Sequence, residues 1–555
     1  MESPRMEGAL TAREEFLFPD QPLAPLPGSL RLPTARNGRP GIQLLLRTAA
    51  PEAVLTLSGE GFRPEWFQML PVPVEYNTGD GTEQGGAMVL EDRPAHCPPY
   101  AVRLAPFRVY DCLRPAPDGR VPGGDGVAAA YICLVPQEGL PAGEYRLSLH
   151  AQCGRERYDC VITVRVYDVE IPQDAFPVTN WFSLDAIRRC HRVEDGTPAY
   201  YAMVGRYAAL MRRVHQTMFY IELDGRCLAS RAPCRFDFSY LRPLISCFFA
   251  QGFQTLEIGP LLSRGFLPDG MPDMYTAVFR CAAAPDVPVD TAEGYALLAA
   301  FVRELAGFLR DNGWAGRTVF HIHDEPDVHC PDERTLASRQ RQYLLAAGLL
   351  RRYLPGARVI EAVKTPSFRG GVDIWVPVTD SYEERKADFD RLAALGEEVW
   401  TYVCCTPEGR WLNRFLDSPL LRGRLLFWGC AANRLGGFLH WGFNQFPPGM
   451  DPFRGTSCPN HTGIGTDFPC GDAFLAYPGT DGPWPGMRLE AARRGAEDAA
   501  LLRLLRQRDE AAHDRLAARV FTDNATYDDD PGRFERVFEE LLRLLEKTGA
   551  ARPAG

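Results

Sequence analysis

From about residue 176 the chain alternates short apolar runs with amphipathic segments, and this rhythm restricts the fold more than any other feature. The runs are PVTNWFSL (177–184), QTMFYIEL (216–223), FQTLEIGP (253–260), RTVFHIHDE (317–325), ARVIEAV (357–363), VDIWVPV (372–378), EVWTYVCC (398–405) and GFLHWGFN (437–444). Between most of them lie helical patterns, such as YYAMVGRYAALMRRV, YLRPLISCFFAQG, GYALLAAFVRELAGFLRDNG and ERTLASRQRQYLLAAGLLRRYL. Runs of this length suit buried strands, and the spaced segments suit helices that cover them. Eight such strands in about 270 residues is the arithmetic of a (β/α)8 TIM-type barrel. The competing open, doubly wound sheet would bring a glycine-rich phosphate loop after its first strand, and none follows PVTNWFSL.

The first 170 residues have a different texture. Short β-rich runs (GIQLLLRTA, AVLTLSG, AVRLAPFRVYDCL, AAAYICLVP, GEYRLSLHAQC, YDCVITVRVYDVEI) are divided by Gly/Pro clusters. Tyr145, Leu147 and Leu149 share one face of the fifth run, and Ile162, Val164 and Val166 share one face of the sixth. This spacing predicts an antiparallel β-sandwich, joined to the barrel through IPQDAFP. After the eighth barrel strand a Gly/Pro/Asn-rich stretch, Asn444 to Pro485, carries six aromatics and is expected to be ordered and functional. Helices are expected at 488–508 and 531–548, with the arginines from Arg488 to Arg506 on solvated faces. The predicted organisation is a multidomain β plus α/β chain: 1–172 a β-sandwich, 173–510 the barrel, and 511–555 a C-terminal helical extension.

Composition removes several function classes. The 61 basic and 71 acidic residues give a net charge of -10, and no basic stripe is present to hold nucleic acid. No run approaches the roughly 20 apolar residues that span a bilayer. MESPRMEGALTAREEF lacks the apolar core of a secretory signal. The 16 cysteines are scattered, with no CxxC pair, which fits free thiols in a cytoplasmic setting and gives no signal for structural zinc. No cofactor and no metal are expected.

Chemistry in a barrel sits at the C-terminal ends of the strands. The fourth run ends in HIHDEPD, with four ionisable residues and Pro326 closing the strand. On a strand His321, His323 and Glu325 share a face, and Asp324 joins them only if the chain twists there. Asp327 and Asp332 can cap the next helix, and His321 reads as a hydrogen-bonded core residue. A metal site built on His321 and His323 is a competing reading.

Glycosidases need a proton for the leaving oxygen and negative charge at an oxocarbenium-like centre. Two adjacent carboxylates cannot straddle a sugar. They can divide the work if a 2-acetamido group of the substrate supplies the nucleophile. Asp324 and Glu325 are therefore the candidate catalytic pair. Asn180, Trp181, His323, Trp375, Tyr402, Trp441, Asn444 and Tyr477 are the candidate substrate-binding residues, because sugars stack on flat rings and bond to side-chain amides. The alternatives are a glycosidase pairing Glu325 with Glu257 or Glu361, and a non-catalytic carbohydrate-binding barrel.

Four stretches resemble glycoside hydrolase family 123 and the related domain-of-unknown-function 4091 family: RNGRPGIQLLL (36–46), RFDFSYLRPLISCFFAQGFQTLEIG (235–259), the DEP of HIHDEPD, and GDAFLAYPGTDGPWPGMRLEAARRGAEDAALLRLL (471–505). The resemblance implies a β-sandwich followed by a β/α barrel. It also implies a retaining β-N-acetylgalactosaminidase-like activity with acetamido assistance. Carried onto this sequence, it makes Asp324 the residue that orients the acetamide and Glu325 the acid/base, with a carbohydrate as the partner.

Overall fold

The computed structural model describes residues 6–81 and 88–550. The outermost residues of the first and last expected domains, 1–5 and 551–555, lie outside the described residues. The chain is a mixed α/β, multidomain protein with a large curled β-sheet at its N-terminal side.

That sheet has eleven strands, in two layers that run into one another. Strand Arg120–Gly124 pairs with Glu52–Ser58 on one side and Val127–Pro136 on the other, so both layers belong to one sheet. One pairing, Ser29–Ala35 against Glu156–Tyr167, is parallel. The curl encloses a core of Ile42, Leu44, Leu46, Ile132, Leu147, Leu149, Ile162, Val164 and Val166. The alternation in the fifth and sixth runs thus marks the inward face. GIQLLLR does not alternate because Leu45 faces a second core, shared with Leu416, Phe446, Phe474 and Met487.

All eight predicted runs in the second part contain parallel strands. Six elements, from Met218–Glu222 through Thr255–Gly259, Thr318–Phe320, Arg358–Val363 and Ile374–Pro377 to Glu398–Val399, form one sheet. Thr401–Tyr402, Phe438–His440 and Val178–Asn180 form another. A parallel bridge between Val378 and Tyr402 joins the two at one seam. At the other, the Thr217 N–H donates to the Val178 carbonyl (3.1 Å). The repeat is not regular: no helix separates Val363 from Ile374, where ten residues turn directly from the fifth strand into the sixth. An inner core of Met218, Val319, Ile360, Ala362, Ile374, Val376 and Leu439 fills the space between the strands.

Helix Met487–Arg508 corrects another expectation. Arg488, Arg493 and Arg494 are buried, because the helix is enclosed by Leu421–Ala432 and the N-terminal sheet. Buried charges persist only when paired; Arg493 pairs with Glu490 and Glu497 of its own helix, and acids from distant segments serve other arginines. Asp111 accepts from Arg488 Nε (3.1 Å) and from the Tyr477 hydroxyl (2.6 Å). Glu14 accepts from Arg424 (2.9 Å), and Glu65 pairs with Arg213 (2.5 Å). All sixteen cysteines are free. Among the described residues, no helix is long and apolar enough to cross a membrane.

Candidate active site

A cavity of about 830 Å³ opens at the C-terminal ends of the parallel strands. Trp181, Tyr220, His321, Asp324, Glu325, Ala362, Tyr402, Leu439 and Trp441 all line it. The loop at 444–485 contributes Gln445, His461, Thr462, Ile464 and Phe468, and the N-terminal part contributes Met88.

The regular strand ends at Phe320, and the chain then bends so that Asp324 and Glu325 both face the cavity. The bend is made at Glu325, whose φ of 46° is left-handed. That conformation costs a non-glycine residue about 1 kcal/mol or more, so neighbours must hold it. Arg264 does so: its guanidinium donates to the Asp324 carbonyl (3.1 Å) and the Glu325 carbonyl (2.7 Å). Asp327 does not cap a helix. Its carboxylate accepts from the Lys364 and Thr365 amides and the Thr365 hydroxyl, tying the bend to the end of the fifth strand. Asp332 caps helix Glu333–Tyr353, as expected.

The surroundings raise the pKa of both carboxyl groups. Confinement among protein atoms raises the pKa of Glu325, the neighbouring Asp324 charge raises it further, and a hydrogen bond from the Tyr402 hydroxyl opposes both. Confinement likewise raises Asp324, against the pull of Arg264, although 54% of its side-chain surface is open to the cavity. A low-dielectric surround penalises the charged form even where a few waters reach it.

The aromatic wall is organised. Trp181 stacks on Tyr220 at 4.7 Å, and both rings present edges to His321. The Trp181 Nε1–H donates to Glu257 (3.1 Å), and the Trp441 Nε1–H donates to Asp472 (3.1 Å). Each indole is thus locked by a buried carboxyl group behind it. Burial lifts those acids to about 8 for Glu257 and about 7 for Asp472.

Of the residues proposed from sequence, Asp324, Glu325, Trp181, Tyr402 and Trp441 meet at this wall, and the others do not. Trp375 points outward on its strand and is fully buried in the main core, bonded to Glu397. Tyr477 is spent on Asp111. Asn180 bonds Gln216 and Arg414, and Asn444 clamps Ser183 through both its amide atoms. His323 stacks on Phe279 at 4.0 Å, away from His321, so the two histidines do not converge on a common point at the cavity. Glu257 and Glu361 lie behind the wall, fully buried. Tyr220 and Arg264 were missed. Tyr220 shares the Met218–Glu222 face of its run and was readable by alternation, whereas Arg264 acts from a loop with no periodic signal.

A cavity at the strand ends of this α/β scaffold, faced with aromatic rings and two adjacent carboxyl groups, is the kind of concave site that takes a small ligand. Residues 235–505 match the family model described as "Glycoside hydrolase 123, catalytic domain". This segment, just under half of the chain, is thus a glycoside hydrolase family 123 catalytic domain. Among solved structures, a family 123 glycoside hydrolase from Clostridium perfringens, studied for glycolipid glycan hydrolysis, is 12% identical, with 98% of each chain covered and a TM-score of 0.71. A family 39 glycoside hydrolase from Bacteroides cellulosilyticus is also 12% identical, covering 85% of this chain and 82% of its own, with a TM-score of only 0.35. No curated protein matches the chain.

Proposed function

We propose that this chain is a retaining glycosidase for β-linked N-acetylhexosaminides, GalNAc-like, using the substrate's own acetamido group. The supporting observation is that the bend at Glu325 turns two sequence-adjacent carboxyl groups into one cavity. Glu325, kept protonated by its surroundings, gives its proton to the leaving oxygen as the acetamide oxygen attacks the anomeric carbon. Asp324 holds the acetamide N–H and takes its proton as the oxazoline forms. Water then opens the ring at the anomeric carbon, Glu325 removing the water's proton and Asp324 returning its own to nitrogen. Trp181, Tyr220, Tyr402 and Trp441 supply the stacking faces.

We read the two parallel sheets as one closed eight-stranded barrel within 173–510, with 1–172 as the β domain and 511–555 as the helical extension. Pairing Glu325 with Glu257 or Glu361 is disfavoured, since neither reaches the cavity wall. The test is a panel of aryl β-glycosides with and without a 2-acetamido group, run on wild type and Glu325→Gln. Cleavage only of the acetamido substrates, inhibited by a thiazoline analogue, is expected. Equal cleavage of both sets overturns the proposal.

A further inference from the structure

Behind Asp324 lies a buried group of side chains that the reaction above does not use. His321 Nε2 sits 3.9 Å from Asp324 Oδ1, and His321 Nδ1 sits 3.1 Å from Glu361 Oε1 and 3.8 Å from Glu257 Oε1. All three inner residues are fully enclosed, yet both imidazole nitrogens, Glu257 Oε1 and Glu361 Oε1 lack an aligned hydrogen bond. Buried polar atoms are nearly always satisfied, so four unsatisfied ones together need an explanation.

The surroundings give the group a direction. Glu361 Oε2 is already saturated by the Ile322 and His323 amides and the Tyr343 hydroxyl, which leaves only Oε1 to face the imidazole. Burial pushes the Glu361 carboxyl well up, and the three donors on Oε2 hold the carboxylate against it; with Glu361 ionised, one proton between Oε1 and Nδ1 satisfies both atoms and leaves the Nε2 lone pair facing Asp324. Glu257 is engaged through its other oxygen by Trp181. The Tyr220 ring closes the remaining side edge-on, and His323 stands two residues along, against Phe279. Burial holds the imidazole down at about 4, the Ile360 carbonyl pulling the other way, so the ring is neutral at ordinary pH.

We propose that His321 is a positioning residue: fixed by Glu361 with its proton on Nδ1, it presents Nε2 to Asp324 and stabilises Asp324 in the protonated form that follows acetamide deprotonation. This rests on the assisted mechanism above. In the step concerned, the acetamide N–H bond breaks as the oxazoline C–O bond forms. The proton passes to Asp324 Oδ1, and the protonated side chain closes the 3.9 Å gap to donate to Nε2 until the proton returns to nitrogen on hydrolysis. Nothing is oxidised or reduced.

Two measurements test it on the full chain. In 15N spectra of the resting enzyme, with His321 assigned from the signal lost in His321→Phe, the proton is expected on Nδ1 between pH 5 and 8. In Glu361→Gln that preference is expected to weaken. His321→Phe is expected to lower kcat for an aryl N-acetyl-β-hexosaminide by about tenfold or more, with little change in KM. Loss of the acceptor also moves the acidic limb of the profile to lower pH, because protonated Asp324 loses its partner. His321→Gln, which retains an acceptor, is expected to recover part of the rate. A proton found on Nε2, or a slower His321→Phe with an unmoved acidic limb, overturns the inference. The resting spectrum reads the tautomer whether or not any acetamido substrate is turned over, so failure of the assisted mechanism shows separately, in the aryl-glycoside panel.

Discussion

The Tyr402 hydroxyl donates to Glu325 Oε1, linking strand Thr401–Tyr402 to the bend that follows Thr318–Phe320. This bond favours the ionised carboxylate, whereas burial and the Asp324 charge favour the acid. In Tyr402→Phe the pKa of Glu325 is expected to rise. Because the acid form delivers the proton, the basic limb of the pH–kcat profile should move to higher pH. A limb that moves down, or stays, contradicts the role given to Glu325.

Arg264 grips the bend itself, through the carbonyls of Asp324 and Glu325. Arg264→Ala is expected to release the left-handed turn and lower kcat by about 100-fold, the scale of a misplacement near 1 Å. Its positive charge also lowers the pKa of both carboxyl groups, so both limbs of the residual profile should shift upward. The pH–rate curve separates this from a simple loss of folded protein.

Removing the acid should hurt most where the leaving group is poor. Glu325→Gln is expected to lose about 10²–10⁴-fold on a natural glycoside or a weakly activated phenol. With a dinitrophenyl leaving group, which needs no proton, the deficit should shrink sharply. Stopped-flow comparison of the two substrates checks it.

Acid stability should depend on Glu497. Burial alone would raise its pKa, but Arg493 and His215 outweigh that and hold it near 2. A pKa depressed below the unfolded value near 4.3 stabilises the fold above that value, and the contribution disappears as pH falls towards 2. Glu497→Gln is therefore expected to cost about 3 kcal/mol at pH 7 and much less at pH 3. Urea midpoints at the two pH values measure the difference.

Asp111 anchors Arg488 and Tyr477, and all three are fully buried. Asp111→Ala leaves a buried arginine without its partner and is expected to destabilise the protein by about 3–5 kcal/mol. A lowered thermal midpoint with unchanged KM in the surviving enzyme is the expected signature.

The parallel strands were readable because short buried runs bounded by helical periodicity have few other solutions. The candidate pair was readable because ionisable residues rarely crowd a strand end. Side-chain direction was harder. Tyr402 and Trp375 both sit in apolar runs, but a one-residue difference in phase sends Tyr402 to the cavity and Trp375 under a helix. Tyr477 and Arg488 read as a sugar-stacking ring and a solvated charge, because the acid that buries both lies more than 360 residues earlier. The missing helix after the fifth strand was hidden for a similar reason: ten residues of loop leave no periodic trace.

The enclosed and half-enclosed ion pairs between the N-terminal part and helices of the second part bear on how such a chain can diversify. Glu14, Glu65 and Asp111 are needed by Arg424, Arg213 and Arg488, and Met88 from the same half reaches the cavity wall. Recombination near residue 172 between divergent parents would mismatch these charges and leave them uncompensated in the interior. Inheritance in this lineage is thus expected to be all-or-none across that junction, with the sheet behaving as an inner wall of the enzyme and not as a portable accessory.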